Sequence, residues 1–404
     1  MSRFILFMLS WFIYAEGFLA SAPTSLNSSG QPTVNRYREA LQELLKPADV
    51  RLDGERKWDI RVNNDGFYSR ILAGGSLAFG ESYMDGWWDC EALDELFDRL
   101  QQAILKRKMK RSGRTIRSVL RAKISNLQSR SKAVNVGGSH YNKTGAVYQK
   151  MLDKRMVYSG AYWKSAADLD DAQEAKLDLI CRKIMLEPGM RILDIGCGAG
   201  SFAKYAAENY DVEVVGITVS EEQLKQGSKL CEGLPVELRL QDYREIDEQF
   251  DRIVSVGMFE HVGVKNHRTF MKIVLRNLVP DGIFLLHTIG ANTTNTVLDP
   301  WINKYIYPDS LIPSARQLTE AAESLFIMED WHNIGSDYDK TLMAWHTNFE
   351  KGWDSLRSQF DERFYRMWRY YLLSCAGSFR ARTNQLWQIV FSISGVKGGY
   401  ESVR

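Results

Sequence analysis

The chain has 404 residues, a length that suits one large domain or two. Its charge is nearly balanced at +2, and a content of 25% charged and 45% hydrophobic residues is that of an ordinary globular protein. Five scattered cysteines form no Cys-x-x-Cys pair and have no histidines at metal-ligand spacing. This pattern argues against a disulfide framework and against a zinc site, so we expect no metal and a reducing compartment.

Residues 1–30 are predicted to be a hydrophobic leader and linker outside the fold. An apolar run from Phe4 to Ala15 is followed by Ala20-Ser21-Ala22, which has the small-x-small spacing of a signal-peptidase site. Glu16 and Pro23 count against cleavage, and the run is short for a membrane span. A signal peptide and an anchor therefore both stay open.

Two segments precede the main domain. Residues 31–104 are predicted to form a small α+β domain, with a helical pattern around Leu41, an edge strand near Arg61 and a glycine- and aromatic-rich core at 75–89. Residues 105–135 are predicted to be a basic linker helix, since Lys106 to Lys132 contains eleven basic residues and no acidic one. A basic amphipathic helix suits an anionic membrane surface, and the lack of interleaved aromatics disfavours nucleic acid. A solvated linker is the alternative.

Residues 136–404 are predicted to form an α/β domain. Seven strand patterns alternate with helical ones, which predicts a parallel sheet covered by helices on both faces. The strands are predicted at Met190–Ile195, Val212–Ile217, Val236–Leu240, Phe250–Val256, Gly282–Leu286, Phe326–His332 and Leu386–Ser394. Ligands of such sheets bind beyond the carboxyl ends of the strands, so the residues that follow each strand are the candidates for chemistry.

The first of these strand ends carries a glycine-rich turn. Asp194 ends an apolar strand, and Gly196, Gly198 and Gly200 then form Gly-x-Gly-x-Gly before a helical pattern. Glycines allow close approach of the backbone to a ligand, and the helix N-terminus offers free N–H groups. The stretch resembles the first strand and turn of an S-adenosylmethionine-dependent methyltransferase, although a plain βα turn would have the same residues.

Further polar residues follow the later strands. Ser220 and Gln223 have the spacing of a helix capping box, and Asp242 is placed to accept a hydrogen bond from an adenine amino group. Glu260 and His287 follow two neighbouring strands, so they should face one pocket and could handle protons there.

The chain resembles the cyclopropane-fatty-acyl-phospholipid synthase family over residues 35–400. The stretches that carry the resemblance are GSLAFGESYMDGWW, LDIGCGAG, DRIVSVGMFEHVG, GIFLLHTIG, DPWINKYIYP and CAGSFRAR. The resemblance implies a Rossmann-like seven-stranded methyltransferase sheet and a lipid-handling N-terminal domain. It also implies transfer of a methylene group from S-adenosylmethionine to the cis double bond of an unsaturated phospholipid acyl chain. The expected partners are these membrane phospholipids and an anionic membrane surface, without nucleic acid, and the resemblance also implies a second copy of the chain.

Family positions also map onto individual residues. The family's base is a bound bicarbonate, and the positions that look like its ligands are Glu260, His287, Ile289 and Tyr338. The positions that look like cofactor contacts are Tyr158, Ser159, Asp194, Gly196, Gly198, Gly200, Thr218, Gln223, Asp242 and Tyr243. Cys375 matches a family cysteine that could be suspected of catalysis, but its apolar neighbours favour a packing thiol.

Three departures from the family pattern keep other functions open. Gly160 stands where the family has a bicarbonate-contacting cysteine, residues 140–146 differ at the predicted pocket mouth, and Ala199 replaces a common tryptophan. The alternatives to a cyclopropane synthase are a lipid methyltransferase with another product and a weakly catalytic lipid- and cofactor-binding protein. A glycan at Asn142 would block the predicted mouth, so we expect the catalytic domain to be cytoplasmic and peripheral to the membrane.

Overall fold

The computed structural model describes residues 34–109, 141–294 and 297–404. The helices are α1 Val34–Leu45, α2 Gly66–Met84, α3 Leu93–Met109, α4 Tyr141–Met151, α5 Leu169–Lys183, α6 Ser201–Tyr210, α7 Glu221–Leu230, α8 His267–Asn277, α9 Pro300–Tyr305, α10 Ala315–Ala322, α11 Gly335–Leu356 and α12 Glu362–Arg380. The strands are β1 Arg61–Val62, β2 Trp88–Asp89, β3 Arg191–Ile195, β4 Glu213–Thr218, β5 Val236–Leu240, β6 Phe250–Val256, β7 Leu278–Ala291, β8 Ile327–Asn333 and β9 Asn384–Ser392.

The chain divides into two compact units. The N-terminal unit draws its described residues from the ranges Met1–Ser125, Asn295–Pro308 and Trp353–Thr383. The sheet unit draws them from Asn126–Thr294, Asp309–Gly352 and Asn384–Arg404. This division differs from the predicted boundaries, which assigned all of 136–404 to the catalytic domain.

The N-terminal unit is mostly helical and is held together by aromatic packing. The Phe79 ring of α2 stacks on Trp88 with centroids 4.4 Å apart, and Tyr370 of α12 meets Phe97 of α3 edge-on at 5.1 Å. These rings explain why a segment close to the C-terminus belongs to this unit. The glycine-rich stretch predicted as compact core is mainly helix, with a kink at Gly75, where φ is 61°.

Two predicted segments fall partly or wholly outside the described residues. Residues 1–30 lie outside them, as do 110–135 of the basic linker. Residues 105–109 continue α3, so this helix runs across the boundary predicted at 104/105. Within the part of the chain that the structure describes, no helix is both long and apolar enough to cross a membrane.

The sheet unit contains a seven-stranded sheet in the order β5-β4-β3-β6-β7-β9-β8. All seven strands predicted from the sequence are present within a few residues of their predicted bounds, apart from longer ends on β7. The strands from β3 to β7 pair in parallel, as expected. The expectation is wrong for β9, which lies antiparallel to both β7 and β8. Buried strands are apolar in either direction, so their composition does not reveal this orientation.

Two hydrophobic layers cover the sheet. Successive residues of one strand point to opposite faces, so Leu193 packs with Phe270 and Leu318 in one layer, while Ile192 packs with Ile180 and Phe202 in the other. Helices α8 and α10 supply the first layer, and α5 and α6 supply the second. The carboxyl ends of β3, β4, β6 and β7 are left to hold the candidate site.

Candidate active site

The turn after β3 is built from glycines that other residues would strain. Gly196, Gly198 and Gly200 have φ of 82°, 57° and 80°, in the left-handed region that favours glycine. Gly200 is the N-cap of α6, so the turn leads directly into a helix N-terminus. A Cβ built on Gly196 would lie 2.5 Å from Cγ of Met258. The turn therefore has the geometry predicted for a cofactor loop.

Asp194 lies at the end of β3 with 1% of its surface exposed. Its Oδ2 has no hydrogen-bond partner among the described residues. Burial raises the pKa of the Asp194 carboxyl to about 7, and the charge of Lys176 opposes this shift. A buried acceptor without a partner is costly, so it fits a site that a ligand donor completes.

In the loop after β4, the side chain of Gln223 does not complete the predicted capping box with Ser220. The Ser220 Oγ accepts from the backbone N–H of Gln223 at 3.3 Å, which is half of the box. The Gln223 side chain instead accepts a hydrogen bond from the Thr218 hydroxyl at 2.7 Å. Thr218 and Gln223, both predicted to contact the cofactor, are thus held together at this strand end.

Asp242 and Tyr243 follow β5 but differ in their surroundings. The Asp242 carboxylate accepts hydrogen bonds from the backbone N–H of Arg244 at 2.9 Å and from its guanidinium at 2.7 Å. The Tyr243 ring packs edge-on against Phe270 at 5.3 Å in the core. The Tyr243 ring is therefore packed in the core, while its buried hydroxyl has no hydrogen-bond partner among the described residues.

The segment Tyr158-Ser159-Gly160 passes the ends of these strands. The Tyr158 ring lies 5.2 Å from Trp345 of α11. Ser159 is buried, and its Oγ accepts a hydrogen bond from Lys176 Nζ at 2.8 Å. Its Cβ is 3.9 Å from the position of a Cβ built on Gly257, at the end of β6. Ser159 thus lies at the strand ends, as expected of a cofactor contact.

Gly160 faces side chains that fill the space of the family cysteine. A Cβ at this position would lie 2.3 Å from Cδ2 of Leu386 and 3.1 Å from Cγ of Tyr338. Tyr338, on α11, is buried and packs edge-on against Trp345. The segment therefore brings Gly160 next to Tyr338, one of the predicted base-site residues.

Glu260 lies in a single 3-10 turn, Phe259–His261, and is buried. Its Oε1 accepts a hydrogen bond from the backbone N–H of Ile289 at 2.6 Å, whereas Oε2 has no partner among the described residues. Burial raises the pKa of this carboxyl, and the hydrogen bond from the backbone N–H of Ile289 limits the shift. The turn therefore presents one free carboxyl oxygen beside β7.

His287 lies on β7 with 1% of its surface exposed. Its Nδ1 is 3.3 Å from the Gln388 amide nitrogen of β9, and its Nε2 has no partner among the described residues. Burial holds the pKa of His287 well below its usual range, with Lys176 and Lys183 adding to the shift. If the Gln388 amide donates to Nδ1, the proton of the neutral ring sits on Nε2.

Cys375 belongs to the N-terminal unit, on α12. Burial raises the pKa of its thiol to about 12, so almost none is thiolate at neutral pH. Glu260, His287, Ile289 and Tyr338 all belong to the sheet unit.

Among the described residues, no three His, Cys, Asp or Glu side chains are grouped to hold a metal ion.

Sequence reasoning missed the partners of the site residues. These are Gln388 at His287, and Lys176 with Gln173 at Ser159. A weak signal was present, because Lys176 and Gln173 lie on the apolar face of α5 and Gln388 interrupts an apolar strand. A polar residue at a buried position needs a partner, although the sequence does not name it.

Comparisons with known proteins agree with this geometry. The sequence profile of the mycolic acid cyclopropane synthetase family matches residues 128–389. The cyclopropane-fatty-acyl-phospholipid synthase of Escherichia coli (strain K12) is 52% identical over 373 residues, which cover 92% of this chain and 97% of that protein. The cyclopropane mycolic acid synthase 2 of Mycobacterium leprae (strain TN) is 35% identical over 279 residues, covering 62% of this chain and 91% of that protein.

Solved structures give the same result. The cyclopropane synthase MmaA2 from Mycobacterium tuberculosis superimposes with a TM-score of 0.61 and 30% identity, covering 66% of this chain and 99% of that chain. The mycolic acid cyclopropane synthase CmaA1 complexed with SAH and CTAB gives 0.59 and 31%, covering 64% and 96%. Coclaurine N-methyltransferase, at 21% identity and a TM-score of 0.64 over 78% of this chain and 98% of that one, shares the fold.

Gly196→Ala should destabilise the sheet unit and weaken the binding of S-adenosylhomocysteine. The new Cβ would meet Met258 in a left-handed backbone, and overpacking of this kind costs about 1–3 kcal/mol. Gly189→Ala is the control, because Gly189 is also left-handed but has open space around it. Thermal melts and calorimetric titration measure both effects. Equal behaviour of the two variants would contradict the crowding argument.

Proposed function

Because this chain belongs to the cyclopropane-fatty-acyl-phospholipid synthase family, we propose that its base is a bicarbonate ion held between Glu260 and His287. The protein is an S-adenosylmethionine-dependent methyltransferase. It transfers a methylene group to the cis double bond of an unsaturated phospholipid acyl chain and closes a cyclopropane ring. The observation that carries the proposal is the pair of buried, unpartnered atoms Glu260 Oε2 and His287 Nε2 among the described residues.

The strand ends have the groups that the cofactor needs. The glycine turn offers backbone N–H groups, and Ser159 and Asp194 offer a buried hydroxyl and a carboxyl oxygen without a partner in the described chain. S-adenosylmethionine, when bound, supplies the methyl carbon of the reaction. We assign the nucleoside and amino-acid contacts to the ten predicted positions.

The base site fits a small oxyanion. His287 with its proton on Nε2 donates toward the space, and Oε2 of Glu260 can accept a hydrogen bond from the hydroxyl of bicarbonate. Bicarbonate, when bound, supplies a base for one methyl proton. The backbone N–H of Ile289 supports the site by donating a hydrogen bond to Glu260 Oε1. We assign the family's tyrosine contact with bicarbonate to Tyr338.

The burial of the proposed base-site residues also suits methylene transfer to an alkene. An alkene is a weak nucleophile, so the reacting carbons must be held in line at close range and away from water. Glu260, His287 and Tyr338 are each less than a tenth exposed, which keeps bulk water from this side of the pocket. This burial supports proton handling in a dry environment.

The activity is tested by incubating the protein with unsaturated phospholipid vesicles and methyl-labelled S-adenosylmethionine, followed by mass analysis of the lipids. A gain of one CH₂ that survives hydrogenation marks a cyclopropane ring. A methylated alkene shows the same gain but takes up hydrogen, and this outcome would favour the altered-product alternative. Cofactor binding without labelled lipid would favour the weakly catalytic alternative.

Glu260→Gln should lower turnover by about a hundredfold or more, as expected for a group that holds the base. The affinity for S-adenosylhomocysteine should change little, because this carboxyl contacts the base and does not contact the nucleoside. Glu323→Gln, at an exposed glutamate of the same unit, is the control and should leave both values unchanged. A parallel loss of turnover and cofactor affinity would contradict the assignment of Glu260.

Gly160→Cys restores the family residue but should lower both kcat and stability. The new Cβ would push on Leu386 and on Tyr338, and such overpacking costs about 1–3 kcal/mol. Leu386→Val removes the nearest crowding atom, so the double variant should recover part of the loss. A rise in kcat for Gly160→Cys alone would show that Leu386 yields without cost and that the glycine weakens catalysis.

We also propose that the basic segment binds anionic membranes. Neutralising Lys106, Arg107, Lys108, Lys110 and Arg111 together should reduce sedimentation with anionic vesicles. Each contact is worth on the order of 1 kcal/mol near a charged surface, and the remaining binding should depend less on salt. Zwitterionic vesicles are the control, and unchanged binding to anionic ones would identify the segment as a linker. A homodimer stays a proposal from the family resemblance, and a cytoplasmic, peripheral location stays a proposal from the Asn142 argument.

A further inference from the structure

Helix α5 buries two lysines on the face that it turns to the sheet. Lys176 and Lys183 both have 0% of their surface exposed. Burying an ammonium group costs several kcal/mol unless it is paired, so each lysine needs a structural or functional reason. Their surroundings differ. Lys176 lies next to residues of the candidate active site, whereas Lys183 contacts residues that hold the fold together.

Lys176 lies beneath the cofactor contacts of the sheet unit. Its Nζ donates a hydrogen bond to Ser159 Oγ at 2.8 Å, while Gln173, one turn earlier, donates to the Ser159 carbonyl at 2.8 Å. The two nearby carboxyls that act electrostatically on Lys176 are Asp153 and Asp194. The Asp153 carboxyl already accepts backbone hydrogen bonds at 2.9 Å from Arg155 and Val157. Asp194 Oδ2 still lacks a partner in the described chain.

The Lys176 bond fixes how Ser159 can act. An ammonium group donates and cannot accept, so it occupies a lone pair of the Ser159 hydroxyl. The hydroxyl proton must then point elsewhere, and Ser159 is available as a donor. The positive charge of Lys176 also favours the ionised form of Asp194, which is an acceptor. One lysine therefore prepares a donor and an acceptor at the same strand end.

Ser159 as a donor and Asp194 as an acceptor match the two charged groups of an amino acid. The carboxylate of the ligand would accept a hydrogen bond from Ser159, and its ammonium group would donate one to Asp194. We propose that Lys176 is a positioning residue that prepares Ser159 and Asp194 for the amino-acid end of S-adenosylmethionine. The inference rests on the proposed function and goes beyond it by assigning a role to a side chain that does not itself meet the ligand.

Lys183 provides a matched control on the same helix. Its Nζ lies 3.0 Å from His332 Nδ1 and 3.5 Å from Asp330 Oδ2, and Asp330 also binds the guanidinium of Arg404. These contacts tie the C-terminal residues to β8. Removal of Lys183 therefore takes away a buried charge of the same kind without touching Ser159.

The test is calorimetric titration of the full chain with S-adenosylhomocysteine, without lipid, so that it does not depend on turnover. Lys176→Met should weaken binding about tenfold to a hundredfold, in the range of a hydrogen bond to a charged group. Ser159→Ala should also weaken binding. The double variant should lose less than the product of the two single losses, because part of the effect of Lys176 passes through Ser159. Lys183→Met should bind within about twofold of wild type, even if its melting temperature changes.

Two results would overturn the inference. One is a folded Lys176→Met variant with wild-type affinity, and the other is a double variant whose losses multiply. If Lys176→Met does not fold, Lys176→Gln keeps a neutral donor and is titrated instead, with an expected loss of at least about fivefold. Full affinity in that variant would also overturn the role of the charge.

The same titration separates this inference from the proposed function. If wild type binds S-adenosylhomocysteine with the stated variant pattern but forms no cyclopropane, the proposed activity fails and the role of Lys176 stands. If wild type does not bind S-adenosylhomocysteine, both fail.

Discussion

The hydrogen bond from the backbone N–H of Ile289 to Glu260 Oε1, at 2.6 Å, is the contact on which the proposed base site depends. It is possible because β7 is fixed on both sides, in parallel with β6 and antiparallel with β9. The same register sets His287 opposite Gln388. A slip of one residue would turn His287 to the other face of the sheet and remove the Glu260 contact, so strand pairing determines the chemistry.

A second constraint follows from burial. Asp194, Glu260 and His287 each retain a buried polar atom without a partner among the described residues. Such groups destabilise the empty protein, since each gives up water without a full replacement. Ligands that complete these hydrogen bonds recover part of the loss, so the fold sacrifices stability to keep a dry and prearranged pocket.

The sequence predicted much of this arrangement, and the limits of the prediction have physical causes. Periodicity located the seven strands and the glycine turn, because both depend on local residues. It did not place β9 between β7 and β8, nor assign 353–383 to the N-terminal unit, because these depend on contacts distant in sequence. The partners Lys176 and Gln388 were missed for the same reason. The roles of the site residues rest on family resemblance, because a side chain's chemical role cannot be derived from periodicity.

The glycine at position 160 has a consequence for the redox chemistry of the protein. Four of the five cysteines are buried, and burial raises the pKa of all five thiols, including that of Cys90 to about 12. Oxidants and alkylating agents attack the thiolate, so these side chains are chemically quiet. Gly160 adds no further thiol to this set, so peroxide finds no sulfur to oxidise at that position.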